Sequence, residues 1–282
     1  MNHTLVICQA RMESQRYPSK ILSSFCGQRM LIFQLARLDQ CKYPVMVALP
    51  NTPDNVNNVK PLLDRHEYSA AFVNGDPNDV LGRYYHVAAY YQTCADQGYD
   101  AIVRVTGDCP LIDPHVINDC VAYFRAGHYD HVGLALEWGD GFDCEVFSLA
   151  ALENAYHHAT LPSEREHVTP YIYHHPDLFR LGTFPCPLDL SWMRCSVDTP
   201  EDMEMIDSLA RMCLTLRGFH FTWQDIWQVA SQYPRYEQYM RRRVHNAAYV
   251  AQVAQERQLD DIEAQTLTWQ EVRYNLHTGR EF

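Results

Sequence analysis

Four short apolar runs, each followed by a stretch of helical periodicity, constrain this chain more than any other feature. The runs at 5–8, 45–49, 70–73 and 101–105 have the length and bounding of buried strands. Between them, residues 31–40, 55–65 and 80–97 carry apolar positions at helical spacing. Alternation of this kind predicts an α/β fold with parallel strands joined by right-handed helical crossovers. Ligands of such sheets bind beyond the carboxyl ends of the strands, so the loops after strands matter most.

The second half predicts further elements. Helices are expected at 115–125, 149–159, 164–174 and 200–216, and strands near 131–134, 179–184 and 193–197. Residues 139–147 form a turn entering a strand. Pro200 suits the first helical position, with Thr199 as N-cap and Asp202 three residues on, close to a capping box. From Tyr233 the texture becomes aromatic and basic, then Ala-rich and helical at 246–257, with a polar tail from Asp260 that is partly ordered at best. The expected plan is one α/β domain over 1–230 and a helical C-terminal extension over 231–282. The extension is either an oligomerisation element, making a homodimer, or a solvated helix, and 241–243 are Arg residues that could meet an anionic partner.

Composition narrows the function classes. At 282 residues, 47% apolar and 21% charged, the chain can bury a full core. Its formal charge of −12 argues against nucleic acid as main partner, because backbone binding needs a basic surface. None of the ten cysteines forms a C-x-x-C pair, which disfavours zinc, and most lie in apolar runs. The start runs straight into a strand without a signal peptide, and no apolar run approaches the roughly 18 residues of a membrane span. A soluble, cytoplasmic protein is expected. The paired histidines 157–158 and 174–175 are adjacent and share no helix face, so they offer no metal-ligand spacing. G-x-G-x-x-G, P-loop and G-x-S-x-G motifs are all missing.

Two strand ends carry chemistry. After the first strand comes a loop with Arg11, Arg16 and Lys20, in which Ser14 and Pro18 favour a turn. Forked guanidinium donors match phosphate oxygens and a lysine adds a point charge, so the loop is either a polyphosphate cradle or a solvated basic turn. After the fourth strand, Asp108 follows Gly107 and precedes Pro110. It is either a turn residue bonding its own backbone or a hard-oxygen ligand for magnesium. Asp198, ahead of the capped helix, supplies a second carboxylate that Thr199 leaves free. Two carboxylates facing a cation-lined loop would make a metal–triphosphate site coherent. Residues 75–83, with Arg83 one turn into a helix, and 163–170 could contact a sugar or base, or serve as a cap and a solvated face.

Six segments in order carry a family resemblance. Residues 9–20 (QARMESQRYPSK) resemble the Q-A-R-M-x-S-T-R-L-P-G-K signature of cytidylyltransferase-like proteins of the spore-coat polysaccharide biosynthesis protein F type. Residues 79–85 (DVLGRYY), 104–113 (RVTGDCPLID), 143–147 (DCEVF), 164–172 (EREHVTPYI) and 197–202 (VDTPED) match as well. The resemblance spans about 4–215 and extends to the synthetases that activate Kdo and sialic acid with CTP. It implies a Rossmann-like nucleotidyltransferase fold of the nucleotide-diphospho-sugar transferase type. It also implies transfer of CMP from CTP to an acidic sugar or related hydroxyl acceptor for surface polysaccharide synthesis, with release of pyrophosphate. By position, Gln9, Ala10, Arg11, Ser14, Arg16, Lys20 and Arg83 would bind the nucleotide. Arg11, Lys20 and Asp108 would carry catalysis, and Asp108 and Asp198 would hold Mg2+. Glu145, Arg165, Glu166 and His167 would contact the acceptor. A glycosyltransferase of similar sheet using a nucleotide sugar, or a non-catalytic nucleotide-binding subunit, are the competing readings.

The chain departs from the signature inside its first loop. Glu13 stands for a small residue, Gln15 for Thr, Tyr17 for Leu and Ser19 for Gly. Ser19 would force a different backbone path where glycine allows positive φ. Glu13 would repel phosphate if turned inward; it could instead point outward, or meet a metal or an amine on the substrate.

Overall fold

The computed structural model describes residues 3–94, 98–242, 246–258, 264 and 267–274. Its main sheet has seven strands in the order β5-β4-β1-β6-β8-β7-β9. These are β1 Thr4–Gln9, β4 Val45–Pro50, β5 Ala70–Val73, β6 Ala101–Thr106, β7 His131–Leu134, β8 Glu145–Ser148 and β9 Leu181–Phe184. A separate two-stranded hairpin pairs β2 Ser24–Phe25 with β3 Gln28–Arg29. The strands β5, β4, β1 and β6 run parallel, as the alternation predicts. Strand β8 runs antiparallel to both β6 and β7, so the sheet is mostly rather than wholly parallel.

Both faces of the sheet are covered, which is why the central strands read as unbroken apolar runs. Along β1, Val6 and Cys8 enter one core while Leu5 and Ile7 enter the other. The first core holds α1 Met30–Leu38, α4 Pro114–Gly127, α8 Pro200–Arg217, α9 Trp223–Gln232 and α10 Pro234–Met240. The second holds α3 Val80–Cys94 and α5 Leu149–His158. Fully burying one such Leu or Ile contributes about 1.5–3 kcal/mol, so the two layers fix the strand register firmly. Tyr236 and Met240 lie in the main core, beyond the expected boundary at 230.

Several expectations need correction. The helix at 55–65 opens as a π-helical stretch, Asn55–Val59, before α2 Lys60–Arg65. The helix at 164–174 is two, α6 Pro162–His167 and α7 Pro170–His174, separated by Val168 at φ 75 and ψ −55. Thr169 N donates to the His167 carbonyl at 2.9 Å, so Val168 is the centre of a rare, strained positive-φ γ-turn. The stretch 193–197 is not a strand but an extended segment with one isolated bridge, Asp140 to Arg194. Its backbone bonds go to loops: Cys195 N to the Asp140 carbonyl at 2.6 Å and Val197 N to the Asp108 carbonyl at 2.8 Å.

The end of the helix expected at 80–97, residues 95–97, lies outside the described residues, as do Arg243, Asp260 and 275–282. Among the described residues, helices α11 Ala247–Glu256 and α12 Trp269–Tyr274 follow. The latter lies in the stretch expected to be a polar tail, and its Val272 is fully buried. Among the described residues no helix is long and apolar enough to cross a membrane.

Candidate active site

The loop after β1 folds back over the head of the sheet. Ser14 N and Ser19 N both donate to the Met12 carbonyl at 2.9 Å. Ser19 takes φ 59, the left-handed conformation a glycine would favour, so the serine keeps the turn at a backbone cost of about 1–2 kcal/mol. The serine itself thus takes the positive φ that glycine would allow there. Glu13 turns outward: Thr52 Oγ1 donates to its Oε1 at 2.6 Å and Asn55 Nδ2 donates to Oε1 at 2.9 Å. Partial burial opposes its ionisation, but the bonds from Thr52 and Asn55 outweigh that and hold the carboxyl below its ordinary range.

This path delivers Lys20 to the centre of the site. Its Nζ donates to Asp108 Oδ2 at 2.9 Å, Asp198 Oδ1 at 3.1 Å and the Val197 carbonyl at 2.6 Å. The Lys20 side chain is only 8% exposed. Burial alone would lower its pKa, but Asp108 and then Asp198 more than reverse this and raise it. Burial likewise works against Asp108, yet the Lys20 ammonium wins and holds this carboxyl well below its usual range.

Asp108 is placed by a close approach of two strand ends. Gly107 N donates to the Gln9 carbonyl at 2.7 Å. A Cβ on Gly107 would stand 2.9 Å from that carbonyl and 3.0 Å from the Ala10 Cβ, so only glycine fits. Ala10 is buried, and Gln9 Oε1 is buried without a hydrogen-bond partner.

Asp198 is a hub of cations. Arg16 Nη2 lies 2.9 Å from its Oδ1, and Arg194 Nη2 donates to its Oδ2 at 2.6 Å. Arg194 also pairs with Asp140 through Nη1. The helix cap leaves this carboxylate free, as expected: Thr199 N and Asp202 Oδ2 bond at 2.8 Å, and Asp202 N and Thr199 Oγ1 at 3.2 Å. Three cations, Arg16, Lys20 and Arg194, thus face three carboxylates, Asp108, Asp140 and Asp198. Charge balance in this cluster rests on residues the sequence reading missed, Arg194 and Asp140.

Arg11 leads from the loop to the second half of the site. Its Nη1 donates to Asn78 Oδ1 at 3.1 Å, and its Nη2 to Glu166 Oε1 on α6 at 3.3 Å. Arg83 is buried, donating to the Pro77 carbonyl at 2.7 Å. Burial and then the Arg11 charge lower its pKa. Arg165 makes a two-pronged pair with Asp79, at 2.9 and 2.7 Å, and bonds the Tyr156 carbonyl at 2.8 Å. That arrangement fastens α6 to the start of α3.

Glu145 lies lower, at the start of β8. Arg104, opposite it in the ladder, donates to Oε2 at 2.8 Å, His131 Nε2 lies 3.1 Å from Oε1, and Thr169 Oγ1 is 2.9 Å from both oxygens. Burial raises its pKa, but His131 and Arg104 overcome this and leave the carboxyl strongly acidic. His167 stands above, with Nε2 3.0 Å from Gln252 Oε1. Burial, then repulsion from Arg104, lowers its pKa to about 4, so the ring is neutral at physiological pH. The structure therefore joins Arg16, Lys20, Asp108 and Asp198 directly, links Arg11 to Glu166, and sets Glu145 and Arg165 in supporting pairs. Partners such as Asn55 and Gln252 carry no motif signal.

Residues 5–217 match the family model described as cytidylyltransferase. The chain is 28% identical over 227 residues to the spore coat polysaccharide biosynthesis protein SpsF of Bacillus subtilis, a match covering 74% of this chain and 87% of that protein. It is 27% identical over 134 residues to the 3-deoxy-manno-octulosonate cytidylyltransferase of Brucella anthropi, covering 48% of this chain and 51% of the relative. The solved structure of a cytidylyltransferase from Leptospira borgpetersenii serovar Hardjo-bovis aligns with a TM-score of 0.75 at 30% identity, covering 84% of this chain and 98% of that one.

Proposed function

The chain belongs to the cytidylyltransferase family, and from that premise we propose that it transfers CMP from CTP to a hydroxyl of an acidic sugar, releasing pyrophosphate. The Rossmann-like nucleotidyltransferase fold expected from the sequence is borne out by the sheet and by the cytidylyltransferase structure it matches. Support for the acceptor class comes from the Kdo cytidylyltransferase relative, and for a polysaccharide role from the SpsF relative.

The observation that carries the reading is the buried Lys20 ammonium held between Asp108 and Asp198 at the head of the sheet. Arg11, Ser14, Arg16 and Lys20 line one loop, and together they would cradle a triphosphate. Among the described residues Arg16, Lys20 and Arg194 already pair with Asp108, Asp140 and Asp198, and Asp202 also faces Arg194, so these cations are not spare and a triphosphate adds charge that calls for a further cation. A magnesium ion fits Asp108 in this donor set; both Asp198 oxygens face cations, Arg16 and Lys20 at Oδ1 and Arg194 at Oδ2, which the ion would have to displace. Asp108 is 31% exposed at its side chain, and besides Lys20 it is approached by Thr106 and, at 3.7 Å from Oδ1, by the Cys109 thiol. Magnesium commonly takes one or two carboxylates together with substrate phosphates. Asp108 and Asp198 would hold it, and bound there it would neutralise phosphate charge and polarise the reacting phosphoryl group.

The protein's own task is positioning and charge stabilisation. The acceptor hydroxyl oxygen attacks the α-phosphorus, the bond to the β-phosphate oxygen breaks, and pyrophosphate leaves with the electron pair. The hydroxyl proton passes to solvent. Lys20, raised in pKa and fixed by three oxygens, remains charged throughout and opposes the negative charge that develops on the phosphoryl oxygens. Arg11 ties the loop to Glu166, so the nucleotide and acceptor sides meet through one ion pair.

Pyrophosphate release from each of the four nucleoside triphosphates, with Mg2+ and either 3-deoxy-manno-octulosonate or N-acetylneuraminate, tests the reading. Release with CTP and a sugar acid, lost in Asp108→Ala, is expected. Release without a sugar acid, or equal release from Asp108→Ala, would overturn it.

A further inference from the structure

The helical segment beyond the family-matched core folds back on the acceptor side, and its side chains reach the motif helices. Glu256 accepts from Ser163 N at 2.7 Å and from Ser163 Oγ at 2.5 Å, at the start of α6. Gln252 meets His167 at the end of the same helix at 3.0 Å, and the Tyr249 ring packs on His167 with centroids 4.5 Å apart. The Tyr173 hydroxyl of α7 donates to the Tyr249 hydroxyl at 3.1 Å. These contacts are not a loose surface association. Tyr249, Val250, Val253, Ala254, Leu267 and Val272 form a buried apolar cluster of their own against Tyr173. The segment thus grips both ends of α6, the helix whose Glu166 reaches Arg11 in the triphosphate loop.

We propose that α11 and α12 form the outer wall of the sugar-acid pocket, with Gln252 as a positioning residue that sets how His167 meets the acceptor. This rests on the cytidylyl-transfer reading above. The amide oxygen of Gln252, 3.0 Å from Nε2, can only accept a hydrogen bond, so this pairing selects the neutral imidazole with its hydrogen on Nε2. Nδ1 then keeps its lone pair and accepts a hydrogen bond from a sugar hydroxyl. The γ-turn at Val168, directly after His167, fixes the backbone on which the ring is carried, and Thr169 anchors that turn to Glu145. A segment outside the matched core thus takes part in reading the acceptor's hydroxyls.

Two measurements on the full chain test this. In protein with ring-15N histidine, assigned through His167→Asn, the His167 ring shows a protected N–H at Nε2 in the wild type. That signal is lost to solvent exchange in Gln252→Leu and kept in Gln252→Glu, which preserves an acceptor oxygen. In pyrophosphate-release kinetics with 3-deoxy-manno-octulosonate or N-acetylneuraminate, whichever the wild type turns over, Gln252→Leu raises the sugar-acid KM about tenfold. The CTP KM stays within about twofold, and Gln252→Glu restores most of the loss. A wild-type ring protonated at Nδ1, an unchanged sugar-acid KM, or an equal rise in both KM values would overturn the proposal. A wild type silent with both sugar acids would count against the function reading, and the ring protonation would then decide this proposal alone.

Discussion

Replacing Lys20 with Met removes the charge at the centre of the site while keeping a chain of similar length. The wild-type ammonium, 8% exposed, bonds Asp108, Asp198 and the Val197 carbonyl. Asp198 keeps Arg16 and Arg194 after the substitution, so most of the loss falls on Asp108 and Val197. Losing a charge-assisted bond costs about 1.5–3 kcal/mol, and an orphaned buried carbonyl adds about 1 kcal/mol. A net loss of about 3 kcal/mol is expected, which for a protein of this size lowers Tm by roughly 6–12 °C. The pH dependence follows from the signs of the shifts. The Asp108 pKa is lowered in the fold, so its stabilisation is complete above the unfolded carboxylate value near 4 and is lost as pH falls below it. The Lys20 pKa is raised, so its contribution is complete below about 10 and is lost as pH rises through the raised value. Thermal melts from pH 2 to 8 should show the acid loss shallower in Lys20→Met, because Asp108 has lost the partner that depressed it. Mg2+ should stabilise the variant more than the wild type, since the two carboxylates no longer share an ammonium. A Tm within about 2 °C of wild type, with the same acid limb, would refute this account of the cluster.

Other substitutions test single features. Ser19→Gly removes a left-handed serine, so it should raise stability by about 0.5–1 kcal/mol in urea melts without weakening CTP binding. Glu13→Ala should cost about 1 kcal/mol through Asn55 and Thr52 yet leave the CTP KM within about threefold; a tenfold fall would mean that Glu13 faces the phosphates. Glu145→Gln should cost about 3 kcal/mol by leaving Arg104 uncompensated, read as a shift in urea midpoint at unchanged slope.

The parallel half of the fold was legible because local period and length determine it. Strands β1, β4, β5 and β6 fall within a residue of expectation. The antiparallel insertion of β8 was not, because strand order depends on partners far apart in sequence. The segment 193–197 has a strand's composition, but its backbone is drawn to the Asp108 and Asp140 loops. Lys20, Asp108 and Asp198 could be anticipated at one site because each follows an expected strand end or precedes a helix cap. Arg194 could not, since nothing local points a guanidinium toward Asp140, 54 residues away. The orientation of Glu13 likewise rests on Asn55, which lies in a π-helical stretch that the helical pattern did not distinguish.

The central claim is that the loop holding Lys20, together with Asp108 and Asp198, presents CTP for attack by a sugar acid. A 31P NMR time course of CTP, Mg2+ and 3-deoxy-manno-octulosonate or N-acetylneuraminate with the full chain tests it directly. The expected result is loss of the three CTP resonances with matched growth of one phosphodiester and one pyrophosphate signal, and no change with Asp108→Ala. CTP that stays intact with both acceptors, or is consumed equally by Asp108→Ala, would contradict it.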